Sequence, residues 1–309
     1  MKSKINLSVN PSFYCNFRCD FCYLTPEQLA DRKTISLERL EEMVDEVRAA
    51  YNIDHVDIYG GEVALLPAEY MLGLKQIFHT RGIRDLNIVT NLSAVNEITC
   101  DPDYTLGVSY DFEAREKHEH VFRNMALVNR PISVLILASP KVLAMNVDEM
   151  ITALNCLPNV MSVEIKPYSD NQANQHRVTH TQFEEFVKRW VDSPVEMNFQ
   201  FINQDALERV LDGKANSFSD DHVYITPAGR FAVLEFDLND NEFFLEMDTV
   251  EDYIKWTEKE RTRVLKNKFC GSCEFSGKCL SEHLREVKNL DNGCNGYYHL
   301  IKWYQKGIE

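Results

Sequence analysis

Cysteines are the residues best placed to do chemistry, and seven of the nine fall into two groups. The first is Cys15-Asn-Phe-Arg-Cys19-Asp-Phe21-Cys22, a C-x3-C-x2-C spacing with an aromatic residue before its last thiol. Three thiolates on one tight loop hold three corners of a [4Fe–4S] cube. Such clusters ordinarily take four cysteines, so a loop supplying three leaves one iron open to a second molecule. The other group is Cys270-Gly-Ser-Cys273-Glu-Phe-Ser-Gly-Lys-Cys279, a C-x2-C-x5-C spacing, followed by Cys294. Four thiols with glycines between them to allow tight turns make a closed metal site, an iron–sulfur cluster or a zinc ion. Cys100 and Cys156 stand apart, and a buried, inert thiol is the ordinary expectation for each.

The first group follows the apolar alternation Ile5-Asn-Leu7-Ser-Val9, which predicts a strand ending near Asn10. Strand and helix patterns then alternate. A helix is expected over 37–51, with Ser36 as its N-cap and Leu37, Leu40, Val44 and Val47 on one stripe. Strands are expected at 55–59, 85–90, 104–110, 132–137 and 160–166, with helices near 67–82, 113–129, 147–155 and 182–191. Six strands alternating with helices indicate an α/β fold built on a parallel sheet. The pattern alone does not separate an open sheet from a barrel. Three polar positions stand at strand ends: Gly60-Gly61-Glu62, Thr90-Asn91 and Ser109. Lys166-Pro167-Tyr168 closes the sixth strand, and the polar stretch 168–179 is expected to loop over the mouth of the sheet.

With these residues in view, the first cysteine loop resembles that of the radical SAM enzymes. The resemblance implies a partial (β/α)6 TIM-like barrel with chemistry at the C-terminal ends of its strands. It further implies that S-adenosylmethionine fills the open iron site and is cleaved to a 5′-deoxyadenosyl radical. On this reading Cys15, Cys19 and Cys22 are both ligands and catalytic centre. Gly60, Gly61 and Glu62 engage the methionyl amino group, Thr90 and Asn91 match a Thr-Asn pair, and Ser109 lies near the carboxylate or ribose. The Phe21 backbone lies near adenine, and Tyr23 flanks the same pocket. The second group resembles the outer auxiliary cluster of the SPASM branch, matched at Cys270, Cys273, Cys279 and Cys294. A full SPASM domain carries another cysteine where this chain has His283, and an upstream pair for which 226–235 offers no cysteine. One auxiliary [4Fe–4S] cluster is therefore expected, in a small C-terminal domain over 216–309, joined by a bridging segment 196–215 to a barrel over 1–195.

The resemblance implies an external reductant such as flavodoxin or ferredoxin. It implies as substrate a peptide or protein, to be oxidised, cross-linked or epimerised, or else a small metabolite such as a sugar, amino acid or nucleoside. A third option is a nucleic-acid base; a protein that binds a cluster or zinc without cleaving SAM is the non-enzymatic one. The first strand is expected near residue 4, and no separate leader-binding domain is expected ahead of it. The net charge of −15 speaks against a broad phosphate-binding surface. No stretch of 18 apolar residues is present and the N-terminus lacks a signal-peptide core, so a cytoplasmic, membrane-free protein is expected. If both cysteine groups hold cubes, anaerobically reconstituted protein will contain about eight iron and eight sulfide per chain. A measured content near four iron with one zinc would make the C-terminal site a zinc site.

Overall fold

The computed structural model describes residues 2–218, 220–237, 241–280, 294 and 297–308. His283 lies outside them. One sheet of ten strands organises the chain, in the order β10-β9-β8-β1-β2-β3-β4-β5-β6-β7. The first six strands are β1 (Lys4–Val9), β2 (Asn52–Ile58), β3 (Leu86–Thr90), β4 (Thr105–Ser109), β5 (Ile132–Leu137) and β6 (Val160–Lys166). Each is parallel to the next. Between and after them lie helices α1 (Pro26–Ala30), α2 (Leu37–Ala50), α3 (Ala68–His79), α4 (His118–Leu127), α5 (Pro140–Leu143), α6 (Val147–Asn155) and α7 (His180–Val191). This is the expected α/β architecture.

Local chemistry accounts for the elements that matter most. Helix α2 begins where the Ser36 hydroxyl accepts from the Arg39 N–H, and it buries Leu40, Met43, Val44 and Val47. Its neighbours in the core are the apolar faces of the strands, Leu7 and Val9 on β1 and Val56 and Ile58 on β2. Successive side chains on a strand point to opposite faces. The other face of the sheet is mixed: Ser8, Asp57, Asn87, Ser109, Glu164 and Lys166 line an internal cavity together with Val89 and Leu135. The expected helix over 113–129 is shorter and starts later. A 3₁₀ turn at Phe112–Ala114 precedes α4, and Lys117 sits at φ 55 between them. Arg115 closes the 3₁₀ turn in an extended conformation, its N–H donating to the Phe112 carbonyl, and its side chain pairs with Asp111.

The sheet does not stop at the sixth strand. Strand β7 (Gln200–Phe201) pairs with β6, and α8 (Ile202–Leu211) follows it. Strand β8 (His222–Ile225) runs parallel to β1, with Ser8 opposite Tyr224 and Val9 opposite Ile225. Strands β9 (Phe231–Asp237) and β10 (Glu242–Met247) extend that edge antiparallel. Thus residues on both sides of the expected boundaries at 195 and 216 share one sheet. Helices α9 (Val250–Lys266) and α10 (Tyr298–Ile308) complete the described chain. None of the described helices is long and apolar enough to cross a membrane.

A belt of polar side chains crosses the sheet below the cavity. His55 is bonded to Asp85 at 3.0 Å and to Asp57 at 3.2 Å. The Asn87 amide donates to Asp57 at 2.7 Å, and Thr105 donates to Asn87 at 3.1 Å. Hydrogen bonding to Asp57 is the main cause that raises the His55 pKa to about 9. A raised histidine pKa stabilises the fold fully below its ordinary value of 6.5 and loses that contribution as pH rises through about 9. Denaturant midpoints of the wild type should therefore fall between pH 6.5 and 9, and His55→Gln should flatten that dependence.

Candidate active site

The first cysteine loop leaves β1 at Asn10 and runs to α1. It is held against the end of β2 by backbone alone. The Gly61 N–H donates to the Ser12 carbonyl at 3.0 Å and the Glu62 N–H to the Tyr14 carbonyl at 2.8 Å. A Cβ on Gly61 would lie 2.1 Å from the Tyr14 oxygen and 2.3 Å from the Phe13 oxygen. Glycine is required there so that two protein backbones can meet. The far side of the loop is tied by the Cys15 N–H, which donates to Leu29 of α1 at 3.1 Å.

Glu62 is 3% exposed. Its carboxylate accepts from the Thr90 hydroxyl at 2.5 Å, the Asn91 N–H at 2.6 Å and the Ala64 N–H at 2.9 Å. Burial pushes its pKa up and these three donors pull it back. Asn91 in turn donates from Nδ2 to Cys15 Sγ at 3.6 Å and to Asn16 Oδ1 at 3.1 Å. One network therefore joins the Gly-Gly-Glu stretch, the Thr-Asn pair and the first cysteine.

The three thiols face one cavity of about 420 Å³. Cys15 is buried, and Cys19 and Cys22 are half-buried. Each sulfur is within reach of a donor: the Phe17 N–H to Cys15 at 3.4 Å, the Leu24 N–H to Cys22 at 3.4 Å, and Arg115 Nη1 to Cys19 at 3.9 Å. Desolvation raises all three thiol pKa values, that of Cys22 to about 11; neighbouring thiols add to the rise at Cys15 and Cys22, and Asp111 and Glu116 add to it at Cys19. These thiols stay protonated at neutral pH unless a metal deprotonates them. Three soft donors on one wall, each supplied with an N–H or guanidinium partner, suit an iron–sulfur cube with one open corner. Among the described residues, no three Cys, His, Asp or Glu side chains converge on a single ion; in a cube each thiolate takes its own iron.

Gly60, Gly61, Thr90, Asn91, Ser109, Phe21 and Tyr23 line the same cavity. Glu62 stands behind the wall, its oxygens turned to Thr90 and Asn91. Several lining residues belong to no sequence motif. Asp111 and Arg115 form a buried ion pair at 2.6 Å beside Cys19. Asp57 lines the floor with Ser8 and His222, and Ser8 Oγ lies 2.7 Å from His222 Nε2. Tyr224, Leu234 and Phe243 close one side from β8 to β10, and Tyr23 stacks on Phe243 at 4.4 Å between centroids. The polar stretch after β6 clamps onto the cysteine loop. Asn174 Nδ2 donates to the Cys22 carbonyl at 3.0 Å, and the Tyr168 hydroxyl donates to the Phe21 carbonyl at 3.5 Å. Lys166 is paired with Glu164 at 2.8 Å.

The C-terminal thiols also gather. Cys270 is buried at the end of α9, where Asn267 Oδ1 accepts its N–H at 2.8 Å. Cys273, Cys279 and Cys294 are half-buried. Burial, then repulsion from Cys294 and Cys273, raises Cys270 to about 11 and Cys279 to about 12. None of the four lines the barrel cavity. Cys100 and Cys156 are exposed, contrary to the expectation that both are buried, because each lies on a surface connection rather than in the core.

A partial β/α barrel whose strand ends surround three thiols defines a class of protein. Residues 9–103, which hold the cysteine loop, Gly60-Gly61-Glu62 and Thr90-Asn91, match the family model of the radical SAM superfamily. Its fold is similar over 98% of its length to that of anSMEcpe with bound AdoMet, at 14% identity, a TM-score of 0.69 and 98% of that chain covered. It is also similar to SuiB of Streptococcus suis bound to S-adenosylmethionine, over 93% of this chain and 75% of that one, at 15% identity and a TM-score of 0.66. SuiB bound to its precursor peptide SuiA matches at 15% identity and a TM-score of 0.67, over 94% of this chain and 74% of that one. No curated protein matches the sequence.

Replacing Glu62 by Gln would turn an N–H₂ group toward backbone and hydroxyl donors. The expected cost is about 1–3 kcal/mol of folding stability, measured by denaturant unfolding. An unchanged midpoint would mean that the carboxylate does not hold the ends of β2 and β3 together.

Proposed function

We propose that the chain is a radical SAM enzyme that abstracts a hydrogen atom from a peptide or protein substrate. The observation that carries this reading is the shared cavity, which opens from three donor-supplied thiols onto a polar barrel floor. Cys15, Cys19 and Cys22 hold a [4Fe–4S] cluster. When bound, that cluster supplies the electron that cleaves the sulfonium of S-adenosylmethionine to a 5′-deoxyadenosyl radical. Gly60 and Gly61 present backbone to the methionyl end, with Thr90, Asn91 and Ser109 beside it. Glu62 keeps Thr90 and Asn91 in place from behind the cavity wall. Phe21 and Tyr23 bound the adenine side and keep water from the sulfurs.

Cys270, Cys273, Cys279 and Cys294 hold one auxiliary cluster in the segment 216–309, and a flavodoxin- or ferredoxin-like donor supplies electrons. Cys100 and Cys156 are exposed and outside the cavity. A thiol quenching a substrate radical must reach it, so the auxiliary cluster is the better sink for the electron that an oxidised substrate gives up. A peptide is favoured because two proteins of this fold have been solved with peptides bound. A small metabolite is the competing substrate, since the cavity is walled on one side by β8–β10 and on another by the stretch after β6.

Reduced, reconstituted protein given S-adenosylmethionine should release 5′-deoxyadenosine. The triple variant Cys15→Ala, Cys19→Ala, Cys22→Ala should release none while retaining about four iron per chain. Undiminished 5′-deoxyadenosine from that variant would sink the assignment.

A further inference from the structure

Arg115 belongs to none of the sequence motifs, yet it lines the cavity beside Cys19. Its side chain is 10% exposed and that of its partner Asp111 is 1% exposed. The two are locked in one geometry. Arg115 Nε donates to Asp111 Oδ2 at 2.8 Å, and Nη2 approaches the same oxygen at 2.6 Å. The other carboxylate oxygen accepts the Leu137 N–H at 2.5 Å, which pins Asp111 to the end of β5. Two of the three guanidinium nitrogens are thus spent on Asp111. The third, Nη1, faces Cys19 Sγ at 3.9 Å. The guanidinium also lies 5.5 Å from the Phe21 ring centroid, on the same loop.

A buried ion pair is a poor way to stabilise a fold, because desolvation offsets most of its attraction. Its place therefore asks for an electrostatic explanation. The charges acting on Cys19 are Arg115 on one side and Asp111 and Glu116 on the other. Arg115 also acts on Cys15 and Cys22. Hydrogen bonds to ligand sulfurs and local charge are what a protein uses to set a cluster's reduction potential. Lysine would not serve equally well: a single ammonium has no planar fork to hold a carboxylate while pointing another N–H at sulfur.

We propose that Arg115, held by Asp111, is a positioning residue that donates to Cys19 and raises the potential at which the cluster takes up its electron. The step is one-electron transfer from an external one-electron donor to the oxidised cluster. No bond forms or breaks and no proton moves; the added negative charge is met by the guanidinium. The inference rests on the reading that Cys15, Cys19 and Cys22 hold the cluster.

The test is an anaerobic redox titration of reconstituted full-length protein, following by electron paramagnetic resonance the reduced-cluster signal that changes when S-adenosylmethionine is added. In Arg115→Gln the ratio of reduced to oxidised cluster at a fixed potential should fall about tenfold, which is 59 mV for one electron. Arg115→Lys should fall between this and the wild type. Asp111→Asn, which leaves the guanidinium uncompensated, should shift the potential in the opposite direction. A role in packing alone would not produce opposite signs. Iron content is measured in each variant, and if Arg115→Gln loses its cluster, the Lys and Asn variants decide. Unmoved potentials with a normal wild-type signal overturn the role of Arg115 and leave the cluster site intact. So does a loss of S-adenosylmethionine affinity with no change in potential. Absence of any SAM-sensitive signal in the wild type overturns the cluster site, and this inference with it.

Discussion

The site depends on a close approach between two stretches of backbone. Residues 12–14 of the cysteine loop accept hydrogen bonds from Gly61 and Glu62 at the end of β2, with no side chain between them. That contact decides where the loop lies, and the loop carries all three thiols. Glu62 extends it sideways. Its buried carboxylate gathers donors from the end of β3, and Asn91 returns a donor to Cys15. A carboxylate removed from water is tolerated because its oxygens are matched by N–H and O–H groups. The same matching makes Glu62 a structural tie before it is anything else.

Around this tie the cavity sets conditions for metal chemistry. Burial holds the thiols in their protonated form, so they are poor free nucleophiles and good ligands only to an ion that displaces the proton. The donors aimed at each sulfur favour charge on the sulfur once the proton is gone. Arg115 carries such an effect to Cys19, with Asp111 opposing it, in a buried setting where low dielectric makes a charge count for more than it does at the surface.

The C-terminal part of the chain contributes to the barrel rather than sitting apart from it. Strand β8 takes the free edge of β1, and β9 and β10 follow. Edge backbone groups are thereby paired, and the cavity side of the sheet gains His222, Tyr224 and Leu234 as wall. Residues far apart in sequence, Ser8 and His222, come within 2.7 Å. The wall nearest the cysteine loop is aromatic, with Tyr23 against Phe243, while the floor is polar. A substrate entering this space meets both surfaces.

Spacing and periodicity were enough to identify the cysteine groups, the Gly-Gly-Glu turn, the six alternating strands and the helix begun by Ser36. These are local properties: a loop's ligand spacing, a strand's alternation and a cap's hydroxyl act over a few residues. The strands at 132–137 and 160–166 and the helix at 147–155 lie where the pattern puts them. Only the tertiary structure could show that Glu62 turns away from the cavity, because its direction depends on Thr90 and Asn91, 28 and 29 positions along the chain. Likewise Arg115 reads as part of a polar helix until folding brings Asp111 and Cys19 to it. The four-residue strand at His222–Ile225 is too short to leave a period of its own and exists because β1 offers an edge. What the chain can ligate is written in residue types at fixed spacing. Which groups surround those ligands is decided by contacts between segments that the spacing does not encode.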